Sequence, residues 1–199
     1  MKKIKIYFLF ASDENIEKIM SLSYLKEQDF EVVNRYKNIE AKKEKIVSIY
    51  FKNKYIKDYH LNENGKPISN DVYFNVSHSH GLVCFVMDEK EPIGIDIEKI
   101  KEVDEKLKRY IANDDEFEYM KNEINFYEVW TAKEALVKAY GSGLKMKVNE
   151  IPALPINGLR YFKNKKYMNQ SIIYNEYVLS VSKKGTSNYC LEMVEEIVK

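Results

Sequence analysis

An α+β fold with mostly antiparallel strands is predicted by three features of this 199-residue sequence. Several short runs alternate apolar with polar residues or are rich in β-branched and aromatic ones, as strands do. Two longer stretches carry apolar residues at helical spacing. The links between the middle strands are too short for crossover helices, which favours antiparallel pairing.

In order along the chain, "KIKIYFLF" reads as the opening strand, and "SDENIEKIMSLS" as a helix with Ser or Asp at its N-cap. From Ile39 to Tyr59 the apolar residues Ile46, Ile49, Tyr50 and Ile56 give an amphipathic helix whose lysines form a solvated face. "NENGKPISN" is a turn by its Asn, Gly and Pro content. "VYFNV", "LVCFVM" and "IGIDIE" then read as three strands in close succession. A helix covers "VDEKLKRYIA", and a stronger one covers "FYEVWTAKEALVKAY", stopped by Gly141. After Pro155 strand character returns in "SIIYNEYVLSVS" and "YCLEMVEEI", and no period repeats.

Lys and Arg number 32 against 31 Asp and Glu, a formal charge of +1. With no binding motif beside it, this balance argues against a nucleic-acid-binding domain, despite sixteen tyrosines and a lysine-rich helix. Cys84 and Cys190 lie far apart without metal spacing, which fits a reducing cytoplasm. The first apolar run is too short to span a bilayer and lacks a signal-peptide cleavage pattern, so a cytoplasmic protein with no membrane partner is expected.

In "PIGIDIEK" the strand period puts Ile93, Ile95 and Ile97 on one face and Gly94, Asp96 and Glu98 on the other. Carboxylates roughly 7 Å apart along a strand repel unless solvated or bridged by a cation. Both are the oxygen ligands that Mg²⁺ prefers. Taken alone, the pair also suits a solvated strand edge. Trp130, Glu134 and Lys138 fall at i, i+4 and i+8 on one helical stripe, where a Glu–Lys pair is ordinarily a surface feature. If that helix packs over the strand, Glu134 becomes a third carboxylate beside Asp96 and Glu98. "NVSHSHG" places Ser77, His78 and Ser79 at a strand end, where donors suit a phosphate. Neither serine has the Gly-x-Ser-x-Gly setting of a hydrolase nucleophile. In "NGKP", Lys66 is free to reach an anion.

The ordered set "NGKP", "FNVSHS", "IGIDIE" and "FYEVWTAKEALVKAYGSGL", from Gly65 to Leu144, resembles the Sfp-type 4′-phosphopantetheinyl transferases. The resemblance implies two similar α+β halves related by a pseudo-twofold, residues 1–92 and 93–199, with the active site between them. It implies transfer of phosphopantetheine from coenzyme A to a serine of an apo acyl or peptidyl carrier protein, with Mg²⁺ held by Asp96, Glu98 and Glu134. By the same resemblance Lys66, Pro67, Ser77 and His78 contact the nucleotide and its phosphates, and Lys138 reaches the pyrophosphate. Glu134, Lys138, Glu116 and His78 are the candidate catalytic groups, and a monomer is expected. The family's usual Arg in the helix near Glu40 is replaced here by "EAKKEKIVS", where Glu44 stands near the expected position. Lys43 or Lys45 is then the substitute contact, with Arg35 and Lys37 as further candidates. A non-catalytic carrier-protein or nucleotide-binding module of this fold is the alternative; the intact Asp96, Glu98, Glu134 and Lys138 argue against it.

Overall fold

The computed structural model describes residues 2–63, 66–143 and 146–198. Asn64 and Gly65 of the "NGKP" turn, and Leu144 at the end of the helix motif, fall outside them. Two four-stranded sheets pack face to face, each backed by helices. The first has the order β10-β1-β5-β4 and the second β6-β9-β8-β7.

Strand β1 (Lys2–Phe10) is followed by α1 (Asp13–Ser21), α2 (Glu27–Asn34) and the long α3 (Ile39–Tyr55). The Ser12 hydroxyl caps α1 and the Asn38 side chain caps α3, each accepting an N-terminal backbone N–H. Ile46, Ile49 and Tyr50 are buried as their spacing implies, and Ile56 just beyond the helix is buried too. Helix α3 is less one-sided than expected, since Glu44 and Lys52 are buried as well. A small ribbon, β2 (His60–Leu61) with β3 (Pro67–Ile68), leads into the hairpin of β4 (Tyr73–Ser79) and β5 (Leu82–Asp88).

The second half repeats this connectivity. Strand β6 (Ile93–Lys99) runs into α4 (Glu105–Ile111), α5 (Asp114–Tyr119) and the long α6 (Glu123–Tyr140). Strands β7 (Gly158–Phe162), β8 (Lys165–Tyr174) and β9 (Tyr177–Lys184) follow. As β1 pairs antiparallel with β5, so β6 pairs antiparallel with β9. Strand β10 (Tyr189–Glu195) departs from a division at residue 92, because it joins the first sheet, parallel to β1. This is the one parallel pairing among the described strands.

The central core lies between the sheets, where Ile4, Ile6, Phe8, Cys84 and Val86 meet Ile93, Ile95, Ile97, Leu179 and Val181. A second core holds α3 on the outer face of the first sheet through Val47, Phe51, Val83 and Phe85. Helix α6 covers the outer face of the second sheet, so β6 is buried on both faces. Gly94 makes this cover close. A Cβ there would lie 2.2 Å from the Ala135 carbonyl oxygen and 2.4 Å from the Ala139 nitrogen, so only glycine admits the helix at this distance. Gly141 ends α6 in the left-handed conformation, φ 90°, its N–H donating to the Val137 carbonyl.

Candidate active site

Strand β6 is an edge strand, yet its free edge is neither solvated nor paired by backbone. It faces the free edge of β4, and side chains at alternate β4 positions accept its N–H groups. Asn75 Oδ1 accepts from Ile95 N at 3.0 Å, Ser77 Oγ from Ile97 N at 3.4 Å and Ser79 Oγ from Lys99 N at 3.2 Å. The seam joins the two sheets, and the acids lie along it.

Asp96 is 4% exposed, not on a solvated edge. Its Oδ1 accepts from Ser77 Oγ at 2.8 Å and from Lys138 Nζ at 2.6 Å. Among the described residues its buried Oδ2 has no hydrogen-bond partner. Glu98 Oε2 accepts from Ser79 Oγ at 2.8 Å. Burial, then the charge of Asp96, push the Glu98 carboxyl upward, with Ser79 and the Trp130 side chain opposing. Glu134 stands one helical turn before Lys138, and burial plus the nearby Asp96 raise its pKa to about 7. Close helix–strand contact at Gly94 therefore brings three carboxylates and Lys138 together.

Lys66 reaches the same place from the turn before β3 and donates to the Lys138 carbonyl at 2.5 Å. Burial, with the neighbouring Lys138, lowers its pKa. A cavity of about 250 Å³ is lined by Lys66, Asn75, Glu134, Lys138 and Gly141. A second one of about 200 Å³ shares Lys66 with it and is lined further by Pro67 and Ile93. The cavity thus offers the Glu134 carboxylate beside two ammonium groups, with Asp96 paired to one of them behind it. This set can hold a cation and a polyanion side by side.

His78, Lys43 and Lys45, also expected at the nucleotide, pair with groups other than these three carboxylates. His78 alternates with Ser77 on β4 and turns toward α3, where its Nδ1 is 2.9 Å from Glu44 Oε2. Glu44 also accepts the Gly81 N–H at 2.7 Å. Burial opposes the Glu44 charge, but His78 and the Gly81 N–H hold its carboxyl below the ordinary range. Lys43 pairs with Asp13 at 2.6 Å, and Lys45 lies over the Tyr36 ring. Neither contacts the carboxylates.

Glu116 lies in a separate buried cluster. It is 1% exposed, with Oε2 on Lys133 Nζ at 2.6 Å and Oε1 accepting the Ala153 N–H at 2.7 Å. Its Oε2 additionally accepts the Asn113 N–H at the start of α5. Both oxygens are committed to holding α5, α6 and the segment before β7 together.

Residues 92–191 match the family described as the 4′-phosphopantetheinyl transferase superfamily. The chain belongs to this superfamily. It is 33% identical over 126 residues to the 4′-phosphopantetheinyl transferase gsp of Aneurinibacillus migulanus, covering 59% of this chain and 48% of that one. It is 34% identical over 96 residues to the 4′-phosphopantetheinyl transferase Sfp of Bacillus subtilis, covering 44% and 42%. With HetI of a Nostoc species it shares 32% over 106 residues, 46% and 45% of the two chains. The aligned stretches thus span about half the length of these relatives. The superfamily match contains Asp96, Glu98, Glu134 and Lys138 and begins at the strand whose edge forms the seam.

The carboxylates are not arranged as a closed metal centre. Among the described residues no group of three or more His, Cys, Asp or Glu is placed to hold a metal ion as it stands. Their chemistry nevertheless fits a hard dication, because all the donors are oxygens and Asp96 Oδ2 is a buried acceptor without a donor. Asn75 shapes the site without having been expected to, and Ser79, expected as a donor to a phosphate, donates to Glu98; Gly94 and Glu44 also contribute unexpectedly. For the first two the signal lay in "NVSHS", whose polar residues recur at a period of two, as on a strand edge turned to another polar surface.

Proposed function

We propose that this protein transfers the 4′-phosphopantetheine group from coenzyme A to a serine of an apo acyl or peptidyl carrier protein, releasing adenosine 3′,5′-bisphosphate. The observation that carries this reading is the cleft in which Asp96, Glu98 and Glu134 meet Lys138 and Lys66. Asp96, Glu98 and Glu134 would hold Mg²⁺, which when bound supplies compensation for the charge of the coenzyme A pyrophosphate. Lys138 and Lys66 line the cavity and would neutralise charge that builds on the departing phosphate oxygen.

In the transfer the serine oxygen bonds to the β-phosphorus, and the bond from that phosphorus to the bridging oxygen breaks. The hydroxyl proton passes to a carboxylate. Glu134 is the candidate acceptor, its carboxyl pushed upward by burial and by Asp96 before any metal is bound. Glu116 has no free oxygen for this task. Pro67, Ser77 and His78 would meet the nucleotide. Glu44 holds His78 at Nδ1, which leaves Nε2 as the nitrogen to face a phosphate. We place the protein in a reducing cytoplasm, acting as a monomer. Cys84 and Cys190 are free thiols, and no helix among the described residues is long and apolar enough to cross a membrane.

The test is mass spectrometry of an apo carrier protein incubated with this protein, coenzyme A and Mg²⁺. The carrier should gain one phosphopantetheine group on its serine, and excess chelator should abolish the gain. An unmodified carrier across fatty-acid, polyketide and nonribosomal-peptide types would overturn the transferase reading in favour of a binding module.

A further inference from the structure

The seam between β4 and β6 has a regular construction. Asn75, Ser77 and Ser79 each accept one β6 N–H, from Ile95, Ile97 and Lys99. The two serines also donate to the carboxylate of the preceding β6 residue, Ser77 to Asp96 and Ser79 to Glu98, both at 2.8 Å. Asn75 has no such carboxylate to meet, because the preceding β6 residue is Gly94. Each serine therefore fixes a carboxylate to the same strand whose backbone it holds.

Ser79 is held further. A hydroxyl has one proton to donate and two lone pairs. The Ser79 proton goes to Glu98 and one lone pair takes the Lys99 N–H. The third neighbour is His80 Nδ1 at 3.0 Å, so this nitrogen carries the ring proton and donates. Nε2 is then the acceptor, and Lys101 Nζ sits directly on it. All three positions around the Ser79 oxygen are filled, and one orientation of its O–H remains. The turn is bent to achieve this. His80 adopts φ 48° ahead of Gly81 at φ 82°, in a two-residue hairpin loop where Asn is the usual first residue.

We propose that Ser79 is a positioning residue for Glu98, its hydroxyl oriented by His80 and Lys101. The proposal rests on the reading of Glu98 as a magnesium ligand for its functional consequence, and on geometry alone for its structural one. Partners that orient metal ligands alter affinity 10–100-fold when removed. Ser79→Ala should raise the Mg²⁺ concentration for half-maximal transfer about 10–100-fold, while kcat at saturating Mg²⁺ stays within a few-fold of wild type. Calorimetric titration with Mn²⁺ should show the same loss of affinity. Ser79→Thr, which keeps the hydroxyl, should restore it. His80→Gly suits the left-handed turn, deletes the ring and leaves β4 untouched; it should shift affinity in the same direction by less, and it decides the matter should Ser79→Ala not fold.

Metal-free crystal structures separate the two readings. With Ser79→Ala the Glu98 carboxylate should leave its wild-type place, and with Ser79→Thr it should keep it. A wild type that binds no Mn²⁺ counts against the metal reading alone, and the Glu98 position then decides the proposal. An unmoved Glu98 with unchanged Mn²⁺ affinity in Ser79→Ala overturns it. Equal impairment of the Ala and Thr variants does so too, since the loss would then come from packing and not from the hydroxyl.

Discussion

Helix α6 carries two lysines that make opposite use of the same contact. Lys133 and Lys138 each sit 2.6 Å from a carboxylate, Glu116 and Asp96 respectively. Around Lys133 everything is satisfied. It also donates to the Val148 and Ile151 carbonyls, and Glu116 accepts two backbone N–H groups besides. Around Lys138 the account does not close: Asp96 Oδ2 has no donor among the described residues, and Glu134 is driven up to about 7 by burial and its acidic neighbours. Distance alone does not tell a structural ion pair from a site. The count of filled valences does, because a buried acceptor left empty costs stability and calls for a ligand, an ordered water or a functional constraint.

The largest effect is expected at the closed pair. Glu116→Ala leaves an ammonium buried without a counter-charge, which costs about 3–5 kcal/mol. Equilibrium urea unfolding should show this as a large fall in midpoint, largely recovered when Lys133→Met is added. A Glu116→Ala protein of wild-type stability that has lost transfer activity would place Glu116 in the chemistry and break the comparison.

Next comes the open pair, read through rate. Lys138→Ala should cut single-turnover transfer to a carrier protein about a hundredfold, the size seen when one charge-stabilising donor is lost. Its melting temperature should fall by less than that of Glu116→Ala, because Lys138 keeps contact with solvent, although Asp96 loses its counter-charge. A wild-type rate at saturating coenzyme A and Mg²⁺ would sink the assignment.

That contrast also marks what the sequence made legible. The "IGIDIE" alternation correctly placed three isoleucines in the core and two acids opposite, because period two is a local property of strands. The solvated edge it allowed for those acids is absent, since α6 and β4 cover them, and no local pattern shows what packs on a strand. Stripe spacing on α6 led to Glu134 and Lys138 because it rests on helix geometry. Glu116 was read by residue type within a short motif, and its buried partner Lys133 looks like any other lysine in sequence. Helices α2 and α5 and strand β7 are short, so too few residues repeat for a period to emerge. The β1–β10 pairing joins the two ends of the chain, and no short-range signal carries it.

A third prediction sharpens the electrostatic side. Glu134 has its carboxyl raised to about 7, above its unfolded value of 4.5. The folded state therefore favours the neutral acid, and this contribution is present in full below about pH 4.5 and lost as pH rises through about 7. Glu134→Gln, uncharged throughout, should melt about 5 °C above wild type at pH 8 in metal-free buffer. The two should converge toward pH 4.5. A gain that does not vary with pH would show that the buried charge of Glu134 is not its source.

The smallest effect is expected at a carboxylate that is satisfied but only partly shielded. Asp88, at the end of β5, accepts from Lys2 at 2.8 Å and from Lys183 at 2.7 Å, along with the Lys90 and Glu91 N–H groups. It therefore ties β1 of the first sheet to β9 of the second. Burial opposes its charge, but the two lysines and the backbone donors bring it down to about 2, below the unfolded value of 3.8. The sign is opposite to that of Glu134: the contribution is present above about pH 3.8 and lost as pH falls through about 2. Lys2 is half exposed, so solvent screens part of the interaction and the expected loss in Asp88→Asn at pH 7 is about 1 kcal/mol. Thermal melts of the two proteins from pH 7 downward should converge by about pH 2. Parallel curves would show that Asp88 acts through shape alone, and that filled valences around a carboxylate do not by themselves make its charge stabilising here.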